Sequence, residues 1–258
     1  MPEGDTVYLT AHNLNRALAG QVLTGCDIRV PAFAAVDFTG ELVHEVVPRG
    51  KHLLIRVGDA IIHSHLKMEG SWHLYRVGSP WKRPSWQARV ILTTAEWVAV
   101  GFQLGLVEVL SRTEADAALA HLGPDPLAAD WDPDETLKRM LADPARPIGL
   151  ALLDQRVIAG LGNVYRNELC FLRGVLPTRA VGDVAELEKL VELARRLIHA
   201  NRERVPRSTT GRLRGETLWV HGREGRPCLR CGTAIRRAKL GESELAERQI
   251  YFCPSCQR

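Results

Sequence analysis

Apolar residues recur at helical spacing at Val7, Ala11, Leu14 and Leu18, between a candidate cap at Asp5 or Thr6 and a stop at Gly20, so the pattern predicts an amphipathic helix over 5–18. Past Gly20 the period becomes two. Short alternating runs fall at 22–30, 41–48, 51–57, 60–66, 71–77, 86–93, 96–101 and 104–110, with Gly58-Asp59 and Thr94-Ala95 reading as hairpin turns. So many short strands predict an antiparallel β-sandwich or barrel. After Leu122-Gly-Pro-Asp-Pro-Leu127, whose prolines and glycine mark a break, the helical period returns over 134–141, 148–155, 164–171 and 183–201. In the last of these Asp183 and Glu186 have capping-box spacing, and Leu187, Leu190, Val191, Ala194, Leu197 and Ile198 share one face. The expected class is α+β and multidomain. A β-sandwich domain with a leading helix spans 1–112, a linker 113–133, a helical domain 134–223 and a small Cys-rich module 224–258.

Composition narrows the class without changing this layout. The 258 residues are 45% apolar and 25% charged, which excludes disordered, collagenous and fibrous chains. No run of 18 apolar residues is present, and Met1-Pro-Glu-Gly-Asp-Thr6 has neither a basic n-region nor an apolar h-region, so a cytoplasmic protein without membrane contact is expected. The net charge of +4 is too mild to name a partner, but its distribution is uneven. Residues 195–258 carry 15 Lys/Arg against 6 Asp/Glu, whereas the rest carry 19 against 24.

Four of the six cysteines lie in the C-terminal stretch as Cys228-x-x-Cys231 and Cys253-x-x-Cys256, separated by 21 residues. This spacing suits two knuckles delivering four thiolates to one tetrahedral Zn²⁺. With all four positions filled by Cys the ion would be structural, since no coordination site remains for water activation. Disulfides or redox thiols are the alternative, disfavoured by the absence of secretory signals. The strands expected around the knuckles, 234–240 and 249–252, make a hairpin too small to fold without its metal. Arg226, Arg230, Arg236, Arg237, Lys239 and Arg248 give the module a basic surface, read either as a nucleic-acid face or as a solvated one.

The N-terminus holds candidate chemistry. Removal of Met1 leaves Pro2 with a free secondary amine, followed at once by Glu3. The positive end of the first helix disfavours a protonated amine there and so raises the fraction able to attack carbon. A Schiff base from a secondary amine is an iminium with no N–H to lose, and an adjacent carboxylate can move protons to and from the adduct.

Together these segments resemble the formamidopyrimidine-DNA glycosylase / endonuclease VIII family over almost the whole chain. The resemblance rests on Pro2-Glu3-Gly4, Arg49-Gly50-Lys51 ahead of a strand, and His65-Leu-Lys-Met-Glu-Gly70. It extends through Gln155, Gly160-Leu-Gly-Asn-Val-Tyr-Arg-Asn-Glu168 and the finger with Arg248 before Cys253. It implies a bifunctional DNA glycosylase and AP lyase of base excision repair, with DNA lying in the groove between sandwich and helical domain. Pro2 would be the nucleophile, Glu3 the proton shuttle and Lys51 a strand-borne phosphate clamp. Asn163 would cap the helix after a helix-two-turns-helix (H2TH) turn, Arg248 would contact phosphate from the finger, and Met68 would wedge into the stack. The implied partners are damaged DNA and one structural Zn²⁺ on Cys228, Cys231, Cys253 and Cys256, in a monomer that associates with the nucleoid during repair if the source is bacterial. Two departures bear on the substrate. Asp5 and Thr6 stand where the family start commonly continues Pro-Glu. In Ala99-Val-Gly-Phe-Gln-Leu-Gly105 the Arg-Phe pair of the formamidopyrimidine branch is missing. With Gly4 after Glu3, these favour the endonuclease VIII branch and oxidised pyrimidines. Excision of 8-oxoguanine and formamidopyrimidines is the alternative within the same chemistry, and a catalytically silent zinc-finger DNA-binding protein the alternative outside it. Glu69, in the wedge loop, has no assigned role, and the acidic stretch around Asp125 to Glu135 is expected to face away from DNA.

Overall fold

The structure is a computed structural model that describes residues 2–258. The chain divides into two compact units, Met1–His121 and Leu122–Arg258.

The first unit opens with α1 (Gly4–Leu18), whose Val7, Ala11, Leu14 and Leu18 are buried as the spacing requires. Fully burying each large apolar side chain of such a stripe is worth about 1.5–3 kcal/mol. The cap is not the expected one. Glu3 occupies the N-cap without a side-chain cap bond, and Asp5 lies inside the first turn, its carboxylate accepting from the Thr6 amide at 2.7 Å. That position still sets a negative charge at the positive end of the helix dipole. At the other end Gly20, at φ 77°, turns the chain so that its amide donates to Val43.

Eight strands follow where eight were expected: β1 (Gly25–Ile28), β2 (Val43–Arg49), β3 (His52–Val57), β4 (Ala60–His65), β5 (Ser71–Arg76), β6 (Ala88–Thr93), β7 (Trp97–Phe102) and β8 (Leu106–Ser111). They form two antiparallel four-stranded sheets, ordered β1-β6-β7-β5 and β2-β3-β4-β8. The largest deviation is β1, shorter than 22–30 because Val22 makes only an isolated bridge to Leu42. Leu53, Ile55, Val57 and Ile62 of one sheet share the core with Val90, Leu92 and Ala99 of the other and with α1.

The packing of α1 on β2 sets the geometry of this unit's functional end. Gly20 is bonded to Val43, and Asn15 Oδ1 accepts from the Val46 amide at 2.7 Å, so helix and strand run antiparallel. From Asn15 back to Gly4 the helix covers about 16 Å. From Val46 the strand is extended only as far as Arg49, about 10 Å, before Gly50 and Lys51 turn the chain back. The turn between β2 and β3 therefore lies toward the N-terminal half of α1.

The stretch 113–133, expected as a linker, begins in a helix. Arg112–Leu119 forms α2, and the change of unit falls between His121 and Leu122. The cause is a capping box: the Glu114 carboxylate accepts from the Ser111 amide at 2.8 Å while Ser111 Oγ accepts from the Glu114 amide. α2 packs against β8 and β4.

The second unit contains α3 (Pro133–Leu141), α4 (Ile148–Ala151), α5 (Asn163–Arg173), α6 (Leu187–Asn201) and the hairpin β9 (Arg236–Leu240) with β10 (Arg248–Phe252). α4 is shorter than 148–155, because Gln155 serves the turns that follow. Its Oε1 accepts from the Gly160 amide and its Nε2 donates to the carbonyls of Leu153 and Leu161. The capping box expected at Asp183 and Glu186 does not form. Val181–Asp183 is a 3-10 turn pinned by buried Val181, and α6 starts after Glu186, which sits at φ 55° with its carboxylate held by Arg173 and Lys189. The apolar face read for α6 is buried through Leu187, Leu190, Val191, Ala194 and Ile198. No helix among the described residues is long and apolar enough to cross a membrane.

Candidate active site and nucleic-acid interface

Pro2, Glu3, Lys51 and Met68 belong to the first unit, and Asn163, Arg248 and the four cysteines to the second. Pro2 directly precedes the N-cap of α1, whose dipole end it faces in sequence. Glu3 is fully buried, which shields its carboxylate from bulk water. Lys51 is not strand-borne. It is the second residue of the two-residue turn closed by the Arg49 to His52 pair, with Gly50 taking the positive φ of 57° that such a hairpin needs at its first position. By the antiparallel run of α1 and β2, this turn lies toward the N-terminal half of α1.

Met68 tops the turn between β4 and β5 and is 59% exposed. Its loop is tightly built. Lys67 holds φ 53°, its amide donates to His65 Nδ1 at 2.8 Å, and the Gly70 amide donates to the Leu66 carbonyl. The β7–β8 connection, Gln103-Leu104-Gly105, lies alongside, and a Cβ on Gly105 would stand 2.2 Å from Lys67 Cγ. Leu104 is buried against Gly101, so this three-residue corner presents no side-chain pair of the Arg-Phe kind.

Three histidines here were not read as a group from sequence. On the outward face of the β2-β3-β4-β8 sheet His52 pairs in register with His65, and His63 with Glu108. His63 bridges the two others in its chain: its Nδ1 lies 2.9 Å from Glu108 Oε2 and its Nε2 2.8 Å from His52 Nδ1. The His52 ring meets the edge of His65. Burial, reinforced by neighbouring histidines and Lys67, lowers the His52 pKa to about 3, and burial with Lys67 and Lys51 nearby lowers that of His65 to about 4. The visible signal was His at 52, 63 and 65 in one β3–β4 hairpin, which places two of them in a cross-strand pair.

In the second unit the Gly160-Leu-Gly-Asn163 turn leads into α5, but Gly162, not Asn163, is the N-cap. Asn163 is the first helical residue and is buried. It donates through Nδ2 to the Gln249 carbonyl and accepts at Oδ1 from Arg166. One turn on, Asn167 Oδ1 accepts from the Tyr251 amide at 3.0 Å. The helix thus grips β10 on the strand that begins with Arg248, which is itself exposed. Glu168, fully buried, accepts from the amides of Trp219, Val220 and His221 at 2.7–2.9 Å and from the Thr209 hydroxyl. Desolvation pushes its pKa up against these four donors. The residue was visible at the end of the motif, but its role depends on a segment some fifty positions away.

The Sγ atoms of Cys228, Cys231, Cys253 and Cys256 all lie within 4.8 Å of one another, with pairs at 3.5 and 3.9 Å. A tetrahedral thiolate site with metal–sulfur bonds of ~2.3 Å calls for sulfur–sulfur separations of about 3.8 Å. The four residues therefore fit one metal ion, and all four thiols are free rather than disulfide-bonded.

An antiparallel sandwich with a leading helix, joined to a helical unit with a two-turn element and a four-cysteine hairpin, defines the H2TH class of DNA glycosylases. Models of the formamidopyrimidine-DNA glycosylase N-terminal domain and H2TH domain match residues 1–104 and 122–207. A probable endonuclease 8 2 of Streptomyces coelicolor is 52% identical over all of this chain and 94% of its own length. Endonuclease 8 2 of Mycobacterium tuberculosis is 54% identical over the full length of both chains. The DNA-(apurinic or apyrimidinic site) lyase Nei2 of Mycolicibacterium smegmatis is 52% identical over all of this chain and 99% of its own. In fold the chain matches a solved MutM bound to DNA containing carbocyclic 8-oxo-G, at 24% identity and TM-score 0.82 over the whole of both chains. The chain belongs to the formamidopyrimidine-DNA glycosylase / endonuclease VIII family.

Proposed function

We propose that the protein is a bifunctional DNA glycosylase and AP lyase of base excision repair that removes oxidised bases, chiefly pyrimidines. The observation that carries this reading is the antiparallel run of α1 and β2, which sets the Lys51 turn toward the helix end that follows Pro2 and buried Glu3, in a chain related over its full length to endonuclease 8 proteins. With Met1 removed, the Pro2 nitrogen attacks C1′ of the damaged nucleotide and the N-glycosidic bond breaks, releasing the base; the amine loses its proton, the C1′–O4′ bond opens with a proton to O4′, and a C1′=N iminium is left. The resulting iminium draws electrons from C2′, and loss of the C2′ proton expels the 3′ phosphate; a second elimination expels the 5′ phosphate. Glu3, shielded from water, moves the protons. Lys51, Asn163 and Arg248 hold phosphates, and Met68 fills the stack left by the flipped nucleotide, whose unstacking costs a few kcal/mol.

The three-residue β7–β8 corner supports pyrimidine over purine lesions, since the formamidopyrimidine branch uses a longer side-chain pair there. One zinc ion on the four cysteines would hold the finger hairpin together and so carry Arg248. We assign the protein to the cytoplasm as a monomer acting on damaged DNA. Borohydride reduction on abasic-site DNA tests the chemistry: a covalent adduct at Pro2 is expected, and its absence from Met-processed protein refutes the lyase mechanism. A panel of duplexes with oxidised pyrimidines or 8-oxoguanine tests the lesion class, and faster 8-oxoguanine release reverses it.

A further inference from the structure

The histidine cluster beside the Lys51 turn is not used by the chemistry above, yet its geometry is fully specified. A carboxylate only accepts, so the proton shared between Glu108 and His63 sits on His63 Nδ1. In a neutral ring His63 Nε2 then accepts, and His52 donates from Nδ1. His65 accepts the Lys67 amide at Nδ1, which places its proton on Nε2. The chain ends at the two places where the first unit is proposed to meet DNA. His52 closes the turn that presents Lys51, and His65 fixes Lys67 in its left-handed conformation directly before Met68.

We propose that Glu108, His63 and His52 form one positioning unit, a hydrogen-bonded imidazole chain in fixed tautomers, that fixes the Lys51 turn and, through His65, the loop carrying Met68. The inference rests on the reading of Lys51 as a phosphate contact. Its physical basis is the concentration of cations here. Lys67 lies within electrostatic reach of His52, and Lys51 and Lys67 within reach of His65. Imidazolium rings would repel the lysines that must converge on phosphate, whereas neutral rings in fixed tautomers give them a rigid, uncharged floor. Glu108 supplies the anchor that selects those tautomers. These residues touch neither substrate nor reacting atoms in the scheme above; they act through Lys51 and Met68.

The test joins mutant cycles to ring-nitrogen NMR. His63→Leu should raise the half-saturating concentration of abasic-site DNA roughly five-fold, leave the maximal trapping rate unchanged, and have no further effect in a Lys51→Ala background. Glu108→Gln, which keeps an acceptor for His63, should retain the wild-type value, and Glu108→Leu should not. In the unmodified protein at pH 7 the NMR spectrum should show Nδ1–H on His63 and His52 and Nε2–H on His65, whatever the variants do to folding. Additive effects of His63→Leu and Lys51→Ala, or an Nε2–H tautomer on His52, overturn the proposal. A Lys51→Ala variant with unchanged DNA half-saturation instead refutes the reading of Lys51 itself, and the tautomers still decide whether the chain exists.

Discussion

Asn163 Nδ2 donates to the carbonyl oxygen of Gln249 at 3.0 Å, so the first residue of α5 is bonded to the strand residue next to Arg248. Asn163 and Arg248, nominated separately as phosphate contacts, are parts of one hydrogen-bonded assembly. Asn163→Ala should remove one of the two side-chain donors to that carbonyl, the Arg166 guanidinium at 3.2 Å being the other, lower stability by about 1 kcal/mol, and weaken DNA binding through Arg248 as well as directly. Thermal melting and hydrogen exchange at the Tyr251 amide check this. Unchanged exchange at Tyr251 would show that Asn163 is not needed to hold the strand, the Asn167 bond sufficing.

Glu3→Gln should preserve DNA binding and lower base release by roughly 10²- to 10⁴-fold, the usual worth of a positioned general acid or base. Single-turnover release from a duplex with one oxidised pyrimidine, measured beside DNA affinity, separates the two effects. A variant that loses affinity but not rate would place the carboxylate in binding rather than chemistry.

Removing the metal should undo the finger and little else. Strong chelation is expected to abolish DNA binding and to broaden the resonances of Arg248, Ile250 and Tyr251, while the β-sandwich signals stay in place, because the first unit has its own core. Retention of DNA affinity by protein shown to be metal-free contradicts this.

The histidine chain makes stability depend on pH in a stated direction. His52 and His65 are held to about 3 and about 4 in the folded protein, chiefly by burial, whereas in the unfolded chain both protonate near 6.5. Between those limits the unfolded state binds more protons, so stability is greatest above pH 6.5 and falls as pH drops toward 4. Melting temperature should therefore decline from pH 7.5 to pH 5, and His52→Leu should flatten the decline. An equal slope in that variant would assign the dependence to other groups.

Gly105→Ala should be costly although its backbone angle is ordinary, because the new Cβ would stand 2.2 Å from Lys67 Cγ and 2.7 Å from Lys67 Cβ. Overpacking of this kind costs about 1–3 kcal/mol. The expected readout is a lowered melting temperature together with weakened DNA binding, since the displaced loop carries Met68.

Strand β3 was legible because Leu53, Ile55 and Val57 alternate toward one core, while β6 and β7, whose Ile91, Val100 and Phe102 pack into a second cluster, were marked by the turn between them; the cysteine spacing was legible because four thiolates on one ion leave little choice of geometry. What escaped were features set by competition or by distant partners. Ser111 and Glu114 formed a capping box where a linker was expected, while Asp183 and Glu186, with the same spacing, did not, because Arg173 and Lys189 take the Glu186 carboxylate. Asn163 looked like a cap, but its side chain is engaged by a strand 86 positions on. The chain from His52 to Glu108 depends on pairing across three strands, and local pattern does not encode it.

The antiparallel match of α1 with β2 works as a ruler with two scales. From their shared bonds helix and strand run in opposite directions, which carries the Lys51 turn toward the N-terminal half of the helix. One residue inserted in α1 would advance the amine by ~1.5 Å and swing it by about 100°. One inserted in β2 would carry the lysine ~3.3 Å and turn it to the opposite face. Neither error can be absorbed by the other scale, so added length is expected to be harmless only in stretches outside the measured span, such as 29–42 and 77–87. An engineered insertion in those loops should be tolerated, where the same residue added between Gly4 and Asn15 should silence the amine.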